Sequence, residues 1–250
     1  MKVTHDRGAW LRGGKARCQT PPGEPELPRR LVLLGAPGVG KGTQAEMLCA
    51  NLSACHLSTG DIFRAARQLR KSELTPSLSS ALECMHRGEL VPDETVLGLV
   101  AERARCLKCR GGFLLDGFPR TVAQAKALEE LLASQNVALD AVLSYELPLQ
   151  RVISRLSGRR TCADCKAVFH IEARRPQAEG VCDHCGGKLF QRDDDRPESI
   201  RVRMTAYETS TAPLADFYRQ RRLLLAISAE GSPETIFERT IDALMLLHAQ

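Results

Sequence analysis

Along the chain, short uninterrupted apolar runs alternate with longer stretches in which apolar and polar positions are mixed. Leu31-Val32-Leu33-Leu34 follows Arg30 and ends at Gly35, the pattern of a strand buried on both faces that feeds a helix beginning near Gly40. Phe113-Leu114-Leu115 and Ala141-Val142-Leu143-Ser144-Tyr145 repeat that pattern, with the helical stretch from Thr121 to Ser134 between them. Leu223-Leu224-Leu225-Ala226-Ile227 supplies a later strand. Strands alternating with helices predict an α/β fold: a doubly wound parallel sheet with helices on both faces and ligands at the carboxyl ends of its strands. Two stretches break the alternation. One is helical, from about Gly60 to Val91, and the other is strand-poor and rich in cysteine, from about Ser157 to Asp195. Both read as inserted subdomains.

The turn after the first strand carries chemistry. Gly35-Ala36-Pro37-Gly38-Val39-Gly40-Lys41 sits between a strand and a helix, the context that a phosphate-binding loop requires. Its glycines let the backbone turn amides inward, the helix N-terminus adds positive potential, and Lys41 reaches outer phosphates as a mobile point charge. Gly42 stands where Ser or Thr normally binds the metal, and Thr43 comes one residue later, so direct hydroxyl ligation of Mg²⁺ is not expected. Asp116 ends the apolar strand Phe113 to Leu115, where a carboxylate is a poor strand former and can hold Mg²⁺ through water.

Ten cysteines change the picture of the second insert. Cys162-x2-Cys165, sixteen residues, then Cys182-x2-Cys185 is the spacing by which two knuckles bring four thiolates onto a tetrahedral, structural zinc. Two disulfides are the alternative, disfavoured in a reducing compartment. His184, between two ligands, reads as a bystander. Cys18, Cys49, Cys55 and Cys84 are scattered singly. Cys106-Leu107-Lys108-Cys109 has no second pair nearby and reads as free thiols, with a second metal site as the alternative.

The loop GAPGVGKGT (Gly35 to Thr43), Ser58-Thr59-Gly60-Asp61, Asp116-Gly117-Phe118-Pro119-Arg120-Thr121 and Gly158-Arg159-Arg160 together resemble the adenylate kinase family, in the form with a long zinc-binding lid. The likeness runs from about Arg30 to Leu247. It implies a P-loop core from residue 30 to 250, an AMP-binding insert over 58–91 and a zinc-containing lid over 158–195. It also implies reversible transfer, ATP + AMP = 2 ADP with Mg²⁺, in adenine nucleotide homeostasis. Gly38, Val39, Gly40, Lys41, Gly42 and Thr43 would wrap the ATP phosphates, with Asp116 on Mg²⁺. Arg155 and Arg159 would meet the same nucleotide, and Val168 and Phe169 would lie beside its base. Thr59, Arg64, Glu89, Leu90 and Val91 would bound AMP from the insert. Gly117, Phe118, Pro119 and Arg120 would close around it, with Gln124 reading the adenine edge. Taken without the resemblance, Gln124 is a polar residue on a helix that would face solvent. Arg192 and Arg203 match the remaining catalytic arginines, with Asp194 and Asp195 placed to pair with them. Lys41, Arg120, Arg159, Arg192 and Arg203 form the expected catalytic set. The segment from Arg67 to Pro76 is longer than in the family, and Ala229-Glu230-Gly231-Ser232 departs from the family's late adenine contact.

Charge narrows the partners. The 250 residues carry 35 Lys+Arg against 30 Asp+Glu, a formal net charge of +5, which suits an anionic small substrate and does not demand nucleic acid. A zinc-ribbon nucleic-acid binder would need a basic, aromatic-lined ribbon. Here Lys166, Arg174 and Arg175 face Asp164, Glu172, Glu179 and Asp183, with Phe169 the one aromatic. A kinase for UMP or CMP is the nearer rival, and the long lid and Gln124 favour AMP. Residues 1–29, with Lys2, Arg7, Arg12, Lys15 and Arg17 but no apolar core, read as a disordered basic leader rather than a secretory signal. No apolar stretch approaches the roughly 18 residues of a membrane helix. The expectation is a soluble, cytoplasmic monomer acting on ATP, AMP and ADP.

Overall fold

The computed structural model describes residues 27–66, 76–87, 91–101, 107–108 and 111–248. The leader up to residue 26, the segment 67–75, and Cys106 and Cys109 lie outside the described residues.

The chain runs β1 (Arg30–Gly35), α1 (Lys41–Leu52), β2 (Cys55–Ser58), α2 (Thr59–Ala66), α3 (Pro76–Arg87), α4 (Asp93–Ala101), β3 (Phe113–Asp116), α5 (Val122–Ser134), β4 (Ala141–Glu146) and α6 (Leu149–Ser157). Three short strands follow: β5 (Arg159–Cys162), β6 (Val168–His170) and β7 (Leu189–Phe190). A 3₁₀ turn at Asp193–Asp195 leads into α7 (Pro197–Ala206), a π-helical turn at Tyr207–Thr211, α8 (Pro213–Gln220), β8 (Leu224–Ser228) and α9 (Pro233–His248).

Five strands form one parallel sheet in the order β2-β3-β1-β4-β8. The uninterrupted apolar character of β1 has its cause here. Leu31 and Leu33, with Leu114 and Leu143, pack among Leu48, Leu52, Ile236 and Leu244 of α1 and α9. Val32 and Leu34, with Leu115 and Val142, pack among Val96, Ala125, Leu128 and Tyr218 of α4, α5 and α8. Successive side chains point to opposite faces and both faces are covered. Each fully buried leucine contributes about 1.5–3 kcal/mol. The doubly wound parallel sheet is therefore as the sequence predicts.

β2 is a strand that the apolar pattern does not announce. It has four residues at the sheet edge, and Leu57 is its one large aliphatic side chain. It nevertheless sets the register that matters, because Ser58 and Leu33 both align with Asp116. The carboxyl ends of β1, β2 and β3 thus meet at one edge, where β1 has β3 on one side and β4 on the other.

The cysteine-bearing insert is a separate antiparallel sheet in the order β6-β5-β7. Its buried core is Cys162, Phe169, Cys182 and Leu189. Among the described residues, no helix is long and apolar enough to cross a membrane.

Candidate functional site

The turn from β1 to α1 is shaped by what surrounds it. Gly38 has φ +80°, and a Cβ there would lie 2.5 Å from Leu156 Cγ, so a glycine is required on both backbone and steric grounds. Gly40 is the left-handed N-cap of α1 and brings no side-chain cap, which leaves the first N–H groups of the helix open to an anion. Lys41 Nζ donates to the carbonyls of Gly35 (2.6 Å) and Ala36 (2.9 Å). Arg155 clasps the far side of the loop, donating from Nη1 to Val39 O and from Nη2 to Ala229 O, each at 3.0 Å. The segment that departs from the family's late adenine contact is thereby bound to the phosphate loop.

Lys41 stands in a field of like charges. Burial above all lowers its ammonium to about 8, and Arg120, Arg203 and Arg159 push the same way, while Asp116 opposes them. These residues come from three separate parts of the chain, so their joint effect on one atom records their convergence. Asp116 Oδ2 lies 3.5 Å from His56 Nε2 across the β2/β3 pair.

A second charged cluster sits where the small sheet rejoins the core. Arg159 Nε donates to Asp195 Oδ2 at 2.7 Å, and Arg159 Nη2 donates to the other Asp195 oxygen. Arg203 Nη1 pairs with Asp194 Oδ2 at 3.1 Å and Asp195 Oδ1 at 3.4 Å. Arg192 Nε donates to Thr161 Oγ1 at 2.9 Å.

The loop after Asp116 is pinned on all sides. A Cβ on Gly117, at φ +82°, would lie 2.7 Å from Thr59 Oγ1 and 3.2 Å from Arg120 Nη2. Arg120 Nε donates to Gly117 O at 2.8 Å, its backbone N–H to Gln124 Oε1 at 2.7 Å, and its carbonyl accepts from Thr211 Oγ1 at 2.9 Å. Thr121 caps α5, accepting from Gln124 N at 3.1 Å. Asp93 takes Gln124 Nε2 at 2.6 Å and Thr121 Oγ1 at 3.1 Å.

These groups surround a cavity of about 800 Å³, within the usual range for small-molecule sites. Gly38, Gly40, Lys41, Gly42, Thr43 and Asp116 line one part of it. Gly117, Pro119, Arg120, Arg155, Arg159, Arg192 and Arg203 also line it, together with Val168 and Phe169 from the small sheet. Comparison with known proteins decides what the assembly is. The family profile described as adenylate kinase matches residues 33–223.

The chain belongs to the adenylate kinase family. It is therefore a nucleoside monophosphate kinase, a transferase that moves a phosphoryl group between ATP and AMP. It is 46% identical over 215 residues to the adenylate kinase of Carboxydothermus hydrogenoformans, covering 86% of this chain and 99% of that one. The adenylate kinase of Streptomyces griseus is 48% identical over 216 residues, 86% of this chain and 97% of its own. That of Salinispora tropica is 50% identical over 215 residues, again 86% and 97%.

Adenylate kinases use Mg²⁺ with ATP, and Asp116, beside the phosphate loop, is a carboxylate suited to a hydrated ion. The zinc expected in the family's long-lid form fits the four cysteines. Their sulfurs lie within 4.8 Å of one another. The pairs Cys162/Cys185 and Cys165/Cys182 are each 3.5 Å apart, close to the edge of about 3.8 Å in a tetrahedron with Zn–S near 2.3 Å. Among the described residues no other group of three or more potential ligands converges.

Several expected adenylate kinase contacts lie elsewhere than the cavity wall. Val39, Thr59, Val91 and Phe118 are buried, with Phe118 and Val91 in the main core. Phe169 lines the cavity but is only 2% exposed, its ring serving the small sheet's core under the Arg174 guanidinium, 5.6 Å from the ring centroid. Gln124 is 2% exposed and away from the cavity wall, so it faces neither solvent nor the cavity. The Arg64 side chain, Glu89 and Leu90 lie outside the described residues. Conversely, His56, Arg174, Tyr207 and Thr211 line the cavity without having been foreseen. The sequence signals none of them except through position: His56 precedes the Ser58-Thr59-Gly60-Asp61 block by two residues.

Proposed function

We propose that ATP + AMP = 2 ADP runs in this cavity with the ATP phosphates on the loop Gly38 to Thr43 and AMP between the insert 58–91 and the loop Gly117 to Arg120. That Lys41, Arg120, Arg159 and Arg203 line one cavity beside the glycine turn carries this reading. The bond between the β,γ-bridging oxygen and the γ-phosphorus breaks as an AMP phosphate oxygen bonds to that phosphorus, and no protein group becomes covalently attached. What the protein supplies is alignment, exclusion of water and fixed positive charge around the transferring group. Lys41 leaves the Gly35 and Ala36 carbonyls to reach the outer phosphates. Arg120 holds the AMP phosphate, aided by Arg64, and Arg159, Arg192 and Arg203 close on the transferring oxygens. Asp116 would hold, through water, the Mg²⁺ that enters with ATP, and the ion would supply positive charge to the phosphates there.

Thr59, Glu89, Leu90, Val91, Phe118 and Pro119 bound the AMP subsite, and Gln124 turns its amide from Asp93 to the adenine edge when AMP arrives. Arg155, Val168 and Phe169 bound the ATP base. The segment 158–195 acts as a lid held in shape by zinc, and its closure keeps water from the γ-phosphate. The enzyme works as a cytoplasmic monomer.

The test is ADP formation with ATP, Mg²⁺ and, in parallel, AMP, CMP, UMP or GMP. Rapid, reversible turnover with AMP alone is expected. A preference for a pyrimidine nucleotide would overturn the acceptor assignment, and no transfer to any acceptor would overturn the whole reading.

A further inference from the structure

The turn Tyr207–Thr211 is π-helical, closed by the Ala212 N–H donating to Tyr207 O at 2.8 Å. Such a turn inserts an extra residue into the helical path and re-aims the side chains beyond it by about 100°. It follows directly on α7, which carries Arg203, and both Tyr207 and Thr211 line the cavity. The last residue of the turn is Thr211, whose hydroxyl meets the Arg120 carbonyl, 91 positions away in sequence. That carbonyl lies in the extended loop ahead of the α5 cap. The other side of the Arg120 peptide is already fixed, its N–H donating to Gln124.

We infer that Thr211 is a positioning residue for phosphoryl transfer: through the Arg120 carbonyl it sets the separation between Arg120 and Arg203. The inference rests on the reading above that Arg120 holds the AMP phosphate while Arg203 closes on the transferring oxygens. Arg203 is anchored to Asp194 and Asp195 at the hinge of the small sheet, and Arg120 to α5. The Thr211 hydroxyl is a direct tie between the two frames. A regular α-helix over these residues would turn position 211 differently, and the Arg120 carbonyl would lose this partner.

The experiment compares Thr211→Val, which keeps shape and removes the hydroxyl, with Thr211→Ser, which keeps the hydroxyl and removes a methyl. Both are assayed for kcat, for KM of AMP and of ATP, and for melting temperature. Thr211→Val is expected to lower kcat about tenfold, because small misplacements of positioned groups weigh on the transition state. KM for ATP should stay within about twofold and the melting temperature within about 2 °C, whereas Thr211→Ser should recover kcat to within about twofold. A Thr211→Val enzyme with unchanged kcat overturns the inference, as does a loss that Thr211→Ser shares equally. Arg120→Ala separates the two levels. If it transfers phosphate to AMP at the normal rate, the reading of Arg120 itself fails, whatever the Thr211 variants do.

Discussion

Arg159 and Asp195 form a two-pronged pair in which the carboxylate has no exposure to solvent and also meets Arg203. One buried anion thus restrains two cations that the proposed reaction would need apart from each other and close to phosphate. Without it, the guanidinium groups of Arg159 and Arg203 would repel across the hinge.

Asp195→Asn keeps the volume and removes the charge. The expected outcome is a kcat at least about tenfold lower and a stability loss of about 1–3 kcal/mol, moderated because both arginines retain some contact with water. Asp194→Asn, at a position 19% exposed, should have a smaller effect on both. Equal effects in denaturant midpoint and turnover from the two variants would contradict the central place given to Asp195.

Lys41 yields a pH prediction. With its ammonium lowered to about 8 by burial and the surrounding arginines, the free enzyme loses its phosphate-binding charge as pH rises through 8. ATP dissociation constants should weaken by about tenfold per pH unit above that point, since bound phosphate favours the charged form. The folding equilibrium moves the other way: the unfolded state holds the proton more tightly, so stability rises with pH between about 8 and 10.5. Calorimetric titration across pH 7–10 checks the first trend, and Lys41→Met should flatten it.

Gln124 joins Arg120 to Asp93 through both ends of its amide. Gln124→Ala strands a backbone donor and a carboxylate oxygen, with an expected loss of about 1–3 kcal/mol. The preference for AMP over CMP and UMP should narrow as well. If stability falls but the preference holds, Gln124 is a strut and the adenine edge is read by other groups.

The metal site can be removed chemically. The small sheet has strands of four, three and two residues, and its buried core is four side chains, two of them cysteines. So little apolar burial does not hold a subdomain without a cross-link. Chelation, or Cys165→Ser, should lower the first melting transition and reduce kcat by more than tenfold, while the parallel sheet keeps its far-ultraviolet signal. Unchanged turnover after zinc is removed, measured by atomic absorption, would contradict the lid assignment.

Much of this was legible before any coordinates. The runs Leu31-Val32-Leu33-Leu34, Phe113-Leu114-Leu115 and Ala141-Val142-Leu143 are apolar because both sheet faces are covered, and a glycine turn ending in lysine has few other uses. The four cysteines declare themselves by spacing. β2 was not legible, because an edge strand of four residues containing His56 lacks the buried pattern on which such reading depends. Nor was the inward turn of Gln124. Its partner Asp93 lies 31 positions earlier, and nothing local to α5 reports it. Phe169 shows a third limit: a residue on the cavity wall can have its ring committed to the core behind that wall. The π-turn at Tyr207–Thr211, between α7 and α8, corresponds to no short sequence pattern.

The clasp of Arg155 on Ala229 places a timetable on synthesis. The phosphate loop leaves the ribosome long before the carbonyl that secures Arg155 against it and before the strand β8 that pairs with β4. Arg159, Arg192 and Arg203 also emerge late. A nascent chain thus presents the glycine-rich turn with Lys41 before Arg159, Arg192 and Arg203 exist, and on the proposed reading a polypeptide abandoned midway lacks most of the cations that would act on ATP.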